Sequence, residues 1–164
     1  MMLNPTKLTL FCGLLASMTG ICFAQAESAR YFHLDFVVKE VDAGKVTNTR
    51  HYWTTVATGE HGACSIRTGS KVPIPADANG SYTYLDVGVN IDCSRPEEVD
   101  GNLALGVSAE ISSAAPSQNP PLVRQNKWNS KVIVPLNKPT MLFSSDDLTS
   151  KGQIQVELTA TPVK

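Results

Sequence analysis

The sequence predicts an all-β fold, built as an antiparallel two-layer sandwich or a strongly curved sheet. Apolar and polar residues alternate with a period of two along most of the chain, and no long window has the period of a helix. Short segments rich in Gly, Asn, Asp or Pro separate the alternating stretches. Because each stretch has only one apolar face, the strands can bury those faces only against a second layer.

The first half of the chain is predicted to hold three strands. The first begins near Phe32 and ends in a turn at residues 42–45, and the second covers residues 46–58, which are rich in Thr and aromatic side chains. Residues 59–63 are predicted to form a loop. The third strand, residues 65–72, is expected to be short because prolines follow it and proline interrupts a sheet ladder.

The second half contains the clearest alternation. Residues 85–91 and 103–112 have apolar side chains at every second position, which predicts an antiparallel pair joined by a long connection over residues 94–102. Asp100-Gly101 is predicted to be the turn of this connection. The polar segment 144–152 can hold one turn of helix capped by a serine at its start. Further strands are predicted at residues 123–136, 141–143 and 154–162.

Residues 1–26 are expected to be a cleavable signal peptide. Lys7 precedes a mainly apolar stretch, and Ala24-Gln25-Ala26 fits the pattern of small residues at which signal peptides are cleaved. Cleavage before Glu27 would leave residues 27–164 as a single exported domain. Such a domain is expected in the periplasm or the outer membrane, or as a secreted protein.

Two of the four cysteines would remain after cleavage. Cys12 and Cys22 lie in the predicted signal, which leaves Cys64 and Cys93. Because disulfides persist in exported proteins, these two residues are predicted to pair. The bond would close a loop of about 30 residues, which the chain-entropy model values at roughly 3.5 kcal/mol. The alternative is two unpaired thiols in the core.

The composition and the motifs offer little support for catalysis, metal binding or nucleic-acid binding. The formal net charge is −1 and no basic block occurs, so nothing indicates nucleic-acid binding. No cofactor or metal is predicted, since nothing near His61 and Cys64 completes a set of about four ligands. The neighbours Asp146 and Asp147 could bind a cation or take part in hydrolysis, but a solvated turn is the favoured interpretation.

Two further groups of residues have competing interpretations. The acidic run at Glu97, Glu98 and Asp100 is interpreted as part of a solvated loop. Trp53 and Trp128 could be ligand platforms, but partly buried packing positions are favoured for both.

Several segments resemble the C-terminal β-domain of the secretin family. Residues 34–41 resemble the opening strand of that domain, and residues 84–91 resemble its strand with an aspartate followed by Val-Gly. Residues 105–113 are similar to the next strand, and residues 157–162 to the closing strand, which ends in Thr-Pro. Where the family usually has Gly-Gly-Leu, this chain has the polar residues 144–147.

The resemblance implies a non-enzymatic protein of the cell envelope. Secretins form the outer-membrane rings of type II and type III secretion systems and of type IV pilus systems. In such a ring, each subunit extends a β-sheet with its neighbours through exposed strand edges. The expected partners are therefore envelope proteins, including further copies of this chain, with no nucleic acid and with membrane contact left open.

Two other functions remain open from the sequence. A monomeric periplasmic or secreted sandwich would bind a peptide, a glycan or an envelope partner through loops such as residues 59–63 or 114–122. A small hydrolase would use Asp146 and Asp147. The secretin-like role in assembly is the leading hypothesis.

Overall fold

The computed structural model describes residues 28–76, 81–115, 122–146 and 152–164. These residues form an all-β fold of two antiparallel four-stranded sheets, as predicted. The predicted signal peptide at residues 1–26 lies outside the described residues. The eight strands are β1 (Tyr31–Asp42), β2 (Lys45–Ala57), β3 (Ala63–Pro75), β4 (Tyr82–Val99), β5 (Asn102–Ala115), β6 (Leu122–Pro135), β7 (Thr140–Asp146) and β8 (Gly152–Pro162).

Successive strands run in opposite directions, and the chain crosses from one sheet to the other after β2 and after β6. One sheet has the order β2-β1-β8-β7, which we call sheet A, and the other has the order β3-β4-β5-β6, which we call sheet B. Two-residue turns join β1 to β2 and β4 to β5. Their central residues, Ala43-Gly44 and Asp100-Gly101, all have positive φ, as the primed turns of tight hairpins require. Both turns were predicted from these sequences.

The core lies between the two sheets and comes from alternate residues of each strand. Strand β1 buries Phe32, Leu34 and Phe36 completely, which confirms the alternation predicted there. Because consecutive strand residues point to opposite faces, the residues between them lie on the outer face of sheet A. Strand β1 also buries Val38, and the remaining strands contribute the following buried residues: Val56, Cys64, Val89, Ile91, Cys93, Leu103, Leu105, Val107, Ala109, Ile111, Val134, Val156, Leu158 and Ala160.

One end of the sandwich holds both described chain ends and the crossings between the sheets. Val163 N–H donates to the carbonyl of Tyr31 at 2.9 Å, and Gly59 N–H donates to the carbonyl of Pro96 at 2.9 Å. An ion pair between Arg30 and Glu98 joins the start of β1 to the end of β4. The β4–β5 turn therefore lies at this end as well, whereas the β1–β2 turn lies at the opposite end.

The connection predicted over residues 94–102 is wrong, because β4 continues to Val99 and pairs with β5 up to the Asp100-Gly101 turn. A bulge between Ser94 and Glu97 makes this continuation feasible. Within the bulge, Arg95 has a φ of +48° and Pro96 is buried. A bulge accommodates a proline because the extra residue leaves the hydrogen-bond ladder.

Two other boundaries differ from the prediction. Strand β3 runs through Pro73 and on to Pro75, which is allowed because an edge strand can lack a donor on its open side. Ser144 and Ser145 belong to β7, where they pair with Gln155 and Ile154, so the proposed helix cap there is wrong.

Beyond the core, sheet B divides into two separate hairpins, one formed by β3 and β4 and the other by β5 and β6. Pairing between β4 and β5 begins at Val89 and Ile111, whereas the β3–β4 ladder extends further, to Pro75 and Tyr82. At the division, Gly88 N–H donates to Ser112 Oγ at 3.0 Å, so a hydroxyl replaces the carbonyl of the missing neighbour. We call β3 and β4 beyond this point the projecting hairpin.

Candidate interaction surfaces

Among the described residues, the edges of the two sheets differ in how well they are protected. Sheet A ends at β2, which has 13 residues, and at β7, which has 7 residues and a register shift between Met141 and Phe143. Sheet B ends at β3, with two prolines, and at β6, with 14 residues. Short strands, bulges and prolines discourage pairing with another chain. Strand β2 has a register shift only near its start, opposite Glu40 and Val41, and β6 has a proline only at its last position, Pro135. Over the rest of their length, β2 and β6 are the edges better suited to accept a further strand.

Strand β6 also presents apolar side chains beside its open edge. Ile133 is 61% exposed on the outer face of sheet B, and Leu122 at the start of the strand is 45% exposed. Trp128 faces the other way, packs against the core and lies 6.0 Å from the ring of Phe143 in β7. The packing position favoured for Trp128 from the sequence is confirmed.

The outer face of sheet B is lined by ion pairs between its strands, three of them between neighbouring strands and one, Lys131–Glu97, across β5. Each cation lies near an acid across the ladder, and all these side chains are at least partly exposed. The pairs are Arg67–Asp92 at 2.7 Å, Lys71–Asp86 at 3.2 Å, Lys127–Glu110 at 2.9 Å and Lys131–Glu97 at 2.6 Å. Such pairs contribute little stability each, but they keep this face hydrated and nearly neutral.

The carboxylate of Glu110, on this face, accepts hydrogen bonds from two side chains. Lys127 and Gln125, both on β6, donate to its carboxylate, the latter at 2.6 Å. The hydrogen bond from Lys127 is the main cause that lowers the pKa of Glu110 from its ordinary value of 4.5. This carboxylate is a structural acceptor between β5 and β6.

The acidic run after Pro96 is not a free loop. Glu97 accepts a hydrogen bond from Lys131 at 2.6 Å, and Glu98 pairs with Arg30. The interpretation of these residues as a merely solvated loop is therefore wrong. The error follows from the missed continuation of β4, which places their side chains opposite basic partners.

Cys64 and Cys93 face each other across β3 and β4. They are direct partners in the strand register, with a Cα–Cα distance of 4.9 Å, and their sulfur atoms are in bonding contact. Both side chains are buried next to the core. The Cα separation lies in the range that a disulfide requires. The placement supports the predicted bond.

The described part of the chain does not assemble a catalytic or metal site from the candidates named above. No group of three or more potential metal ligands occurs among the described residues. His61 is exposed, and Asp146 accepts a hydrogen bond from Gln153 at 2.8 Å. Asp147 lies outside the described residues. The same part of the chain contains no helix long and apolar enough to cross a membrane.

The loop between β2 and β3, one of the two suggested binding loops, is closely packed. Arg95 N–H donates to the carbonyl of Gly62 at 2.9 Å, and a Cβ on Gly62 would lie 2.7 Å from Pro96. These contacts join the loop to the bulge of β4, so it has little freedom to adapt to a ligand. Most of the other loop, residues 116–121, lies outside the described residues.

The outer face of sheet A carries the most exposed large apolar side chain among the described residues. Trp53 on β2 is 71% exposed, so the packing position favoured for it is wrong. Its ring lies beside that of His33, with 5.9 Å between centroids. The alternation of β2 did not reveal this exposure, because a tryptophan fits either face of an isolated strand.

Comparison with known proteins shows that the fold is shared with secretin domains. No protein-family model and no curated protein matches the chain. The secretin domain of InvG from the Salmonella SPI-1 injectisome superposes with a TM-score of 0.53 at 9% identity, covering 84% of this chain and 64% of that one. The present chain therefore spans less than two thirds of the length of that InvG structure.

A second secretion system contains the same fold. A chain in the Klebsiella pneumoniae type II secretion system outer membrane complex of PulD, PulS and the PulC HR domain has a TM-score of 0.51 at 9% identity. The match covers 83% of this chain and 38% of that one. The secretin-like fold expected from the sequence is thus confirmed.

Proposed function

We propose that this protein is a non-enzymatic assembly component of the cell envelope, which associates with copies of itself or with a secretion-type complex through its open strand edges. The proposal is supported chiefly by the secretin-like fold, shared with components of two secretion systems. It includes export through the N-terminal signal peptide and oxidation of Cys64 and Cys93.

The structural support for the proposal is that the edge strands β2 and β6 are better suited to pairing with another chain than the edge strands β3 and β7. Strands β2 and β6 lie at opposite ends of the two sheets and leave long backbone edges without a strand partner in the described residues. An isolated soluble sandwich usually shortens, charges or covers such edges. Pairing β6 of one subunit with β2 of the next is a head-to-tail contact, which generates a ring if the rotation closes.

The proposal is tested by the oligomeric state of the purified protein and of a β6 variant. Ile133→Lys places a charge beside the open edge of β6, which is expected to raise the dissociation constant of the oligomer at least tenfold. The measurement is size-exclusion chromatography with light scattering, with and without mild detergent, followed by negative-stain microscopy.

The matched control is Val99→Lys. Val99 is also exposed, at 39%, but it lies beside the β4–β5 turn, away from the open edges of β2 and β6. This variant is expected to assemble like the wild type. A wild-type protein that stays monomeric at high concentration in both conditions would contradict the proposal, and so would equal assembly of both variants.

A further inference from the structure

The outer face of sheet A holds an ordered grid of side chains around Trp53. The strand registers align one row as Trp53, Asp35 and Thr159 across β2, β1 and β8. The next row is Thr55, His33 and Thr161. Partners in register lie on the same face, about 5 Å apart. We call these six residues the Trp53 platform.

The polar atoms of the platform are held in place by neighbouring side chains. His51 Nδ1 lies 3.2 Å from the carboxylate of Asp35, which fixes that carboxylate beside the indole. On the other side of Trp53, the ring of His33 is inclined at 35° to the indole. The indole is therefore flanked by an oriented acceptor and by a second ring, while it remains 71% exposed.

The Trp53 platform differs in chemistry from the outer face of sheet B, and also from the part of its own face where Lys39 pairs with Glu157 at 2.6 Å. The outer face of sheet B has four cross-strand ion pairs, among them Arg67–Asp92 and Lys131–Glu97, and these keep it hydrated. The platform instead combines an exposed indole with threonine hydroxyls and one carboxylate. A large aromatic surface left in water is informative, because burial would stabilise it.

The side chains of the platform limit the class of ligand that it can bind. It carries no lysine or arginine and holds the carboxylate of Asp35, so it lacks the fixed positive charge that usually binds a phosphate or another anion. Among the residues next to the indole in the strand register, only Val37 is aliphatic, so the surface lacks the continuous aliphatic area that an apolar helix or a lipid tail would need. A neutral sugar needs an aromatic surface for its C–H face and polar groups for its hydroxyls.

We propose that the Trp53 platform binds a neutral polysaccharide. A pyranose ring stacks on Trp53, because the electron-rich face of an aromatic ring attracts the weakly positive C–H groups of the sugar. The carboxylate of Asp35 accepts a hydrogen bond from a sugar hydroxyl, and Thr55 and Thr159 supply hydroxyl groups of their own. This site uses a sheet face and not a strand edge, so it is independent of the assembly proposed above.

The experiment measures binding of the purified protein to defined glycans. Chitin, cellulose and purified peptidoglycan sacculi serve as insoluble probes, and chitohexaose and cellohexaose serve as soluble probes in titration calorimetry. We expect binding to at least one of these glycans in moderate salt. Trp53→Ala is expected to weaken that binding at least tenfold, and Asp35→Asn is expected to weaken it less.

The matched control is Tyr84→Ala on the projecting hairpin. Tyr84 is an aromatic residue of similar exposure, 62%, but it lies outside the platform. This variant is expected to bind like the wild type. Trp53→Phe retains a smaller ring and is expected to bind with intermediate affinity, which separates stacking from a change in folding.

Three results would overturn the proposal. One is the absence of binding to every glycan probe, and another is wild-type affinity in Trp53→Ala. The third is retention on sacculi that is abolished by salt, because this would indicate ionic attraction and not stacking. Failure of the oligomer experiment leaves these outcomes unaffected, since monomeric protein is sufficient for the titration.

Discussion

Reduction of the Cys64–Cys93 bond is expected to lower the free energy of unfolding by about 3–4 kcal/mol. The two residues are 29 positions apart in the chain. In the loop-entropy model, a closed loop of this length restricts the unfolded chain by about 3.6 kcal/mol at room temperature. For a domain of this size, each kcal/mol corresponds to about 3 °C, so the melting temperature should fall by about 10 °C.

Urea unfolding followed by circular dichroism, with and without a phosphine reductant, measures this effect. The reduced wild type keeps both sulfur atoms, whereas Cys64→Ala with Cys93→Ala also removes their volume from the core. Comparison of the two separates the effect of the cross-link from that of packing, since both cysteines are buried. The urea dependence should become steeper on reduction, because the unfolded chain exposes more surface.

The bond itself is checked by peptide mapping without reduction. Trypsin should release Cys64 in residues 51–67 and Cys93 in residues 72–124, because the Arg95–Pro96 bond resists cleavage. These two peptides should have one combined mass that separates on reduction. Two free thiols after oxidative purification, or equal urea midpoints with and without reductant, would refute the reasoning.

The remaining predictions concern the division of sheet B and one carboxylate. Gly88→Ala should cost at least 2 kcal/mol in urea unfolding, because its φ is +150° and the new Cβ would lie 2.1 Å from the carbonyl oxygen of Thr68. Gly106→Ala should cost less, because its Cβ would meet only the movable Ser94 hydroxyl, and equal losses would contradict this account. Glu110 has a lowered pKa in the folded protein, so its stabilising contribution is present above pH 4.5 and is lost as the pH falls through the folded value. The stability advantage of the wild type over Glu110→Gln should therefore shrink on acidification below pH 4.5, and a constant difference would exclude this role.

The sequence predicts the regular strands of this fold well because a period of two is a local property. In β4, the alternation of Leu85, Val87, Val89 and Ile91 identifies the face that points to the core. The two tight turns are also local features, because their central residues, Ala43-Gly44 and Asp100-Gly101, themselves adopt the positive φ values that such turns require. These features could be derived without knowing which strands are neighbours.

The features that sequence reasoning missed depend on pairing between strands. The bulge around Pro96 becomes acceptable only because β5 resumes pairing beyond it, and Pro73 is tolerated only because β3 is an edge. The exposure of Trp53 also depends on strand pairing, because the register between β2 and β1 decides on which face of sheet A the side chain lies. The Trp53 platform also requires β8, which is distant in the sequence from β1 and β2, and no single-strand pattern encodes it.

Both ends of the described chain lie at one end of the sandwich, and this arrangement determines how the protein can be presented on a solid support. The N–H of Val163 donates a hydrogen bond to the carbonyl of Tyr31, so an affinity handle fused after Lys164 would anchor that end of the sandwich. The projecting hairpin would then point away from the support, into the solution. The side faces, including the indole of Trp53, would stand perpendicular to the support and stay accessible to soluble molecules.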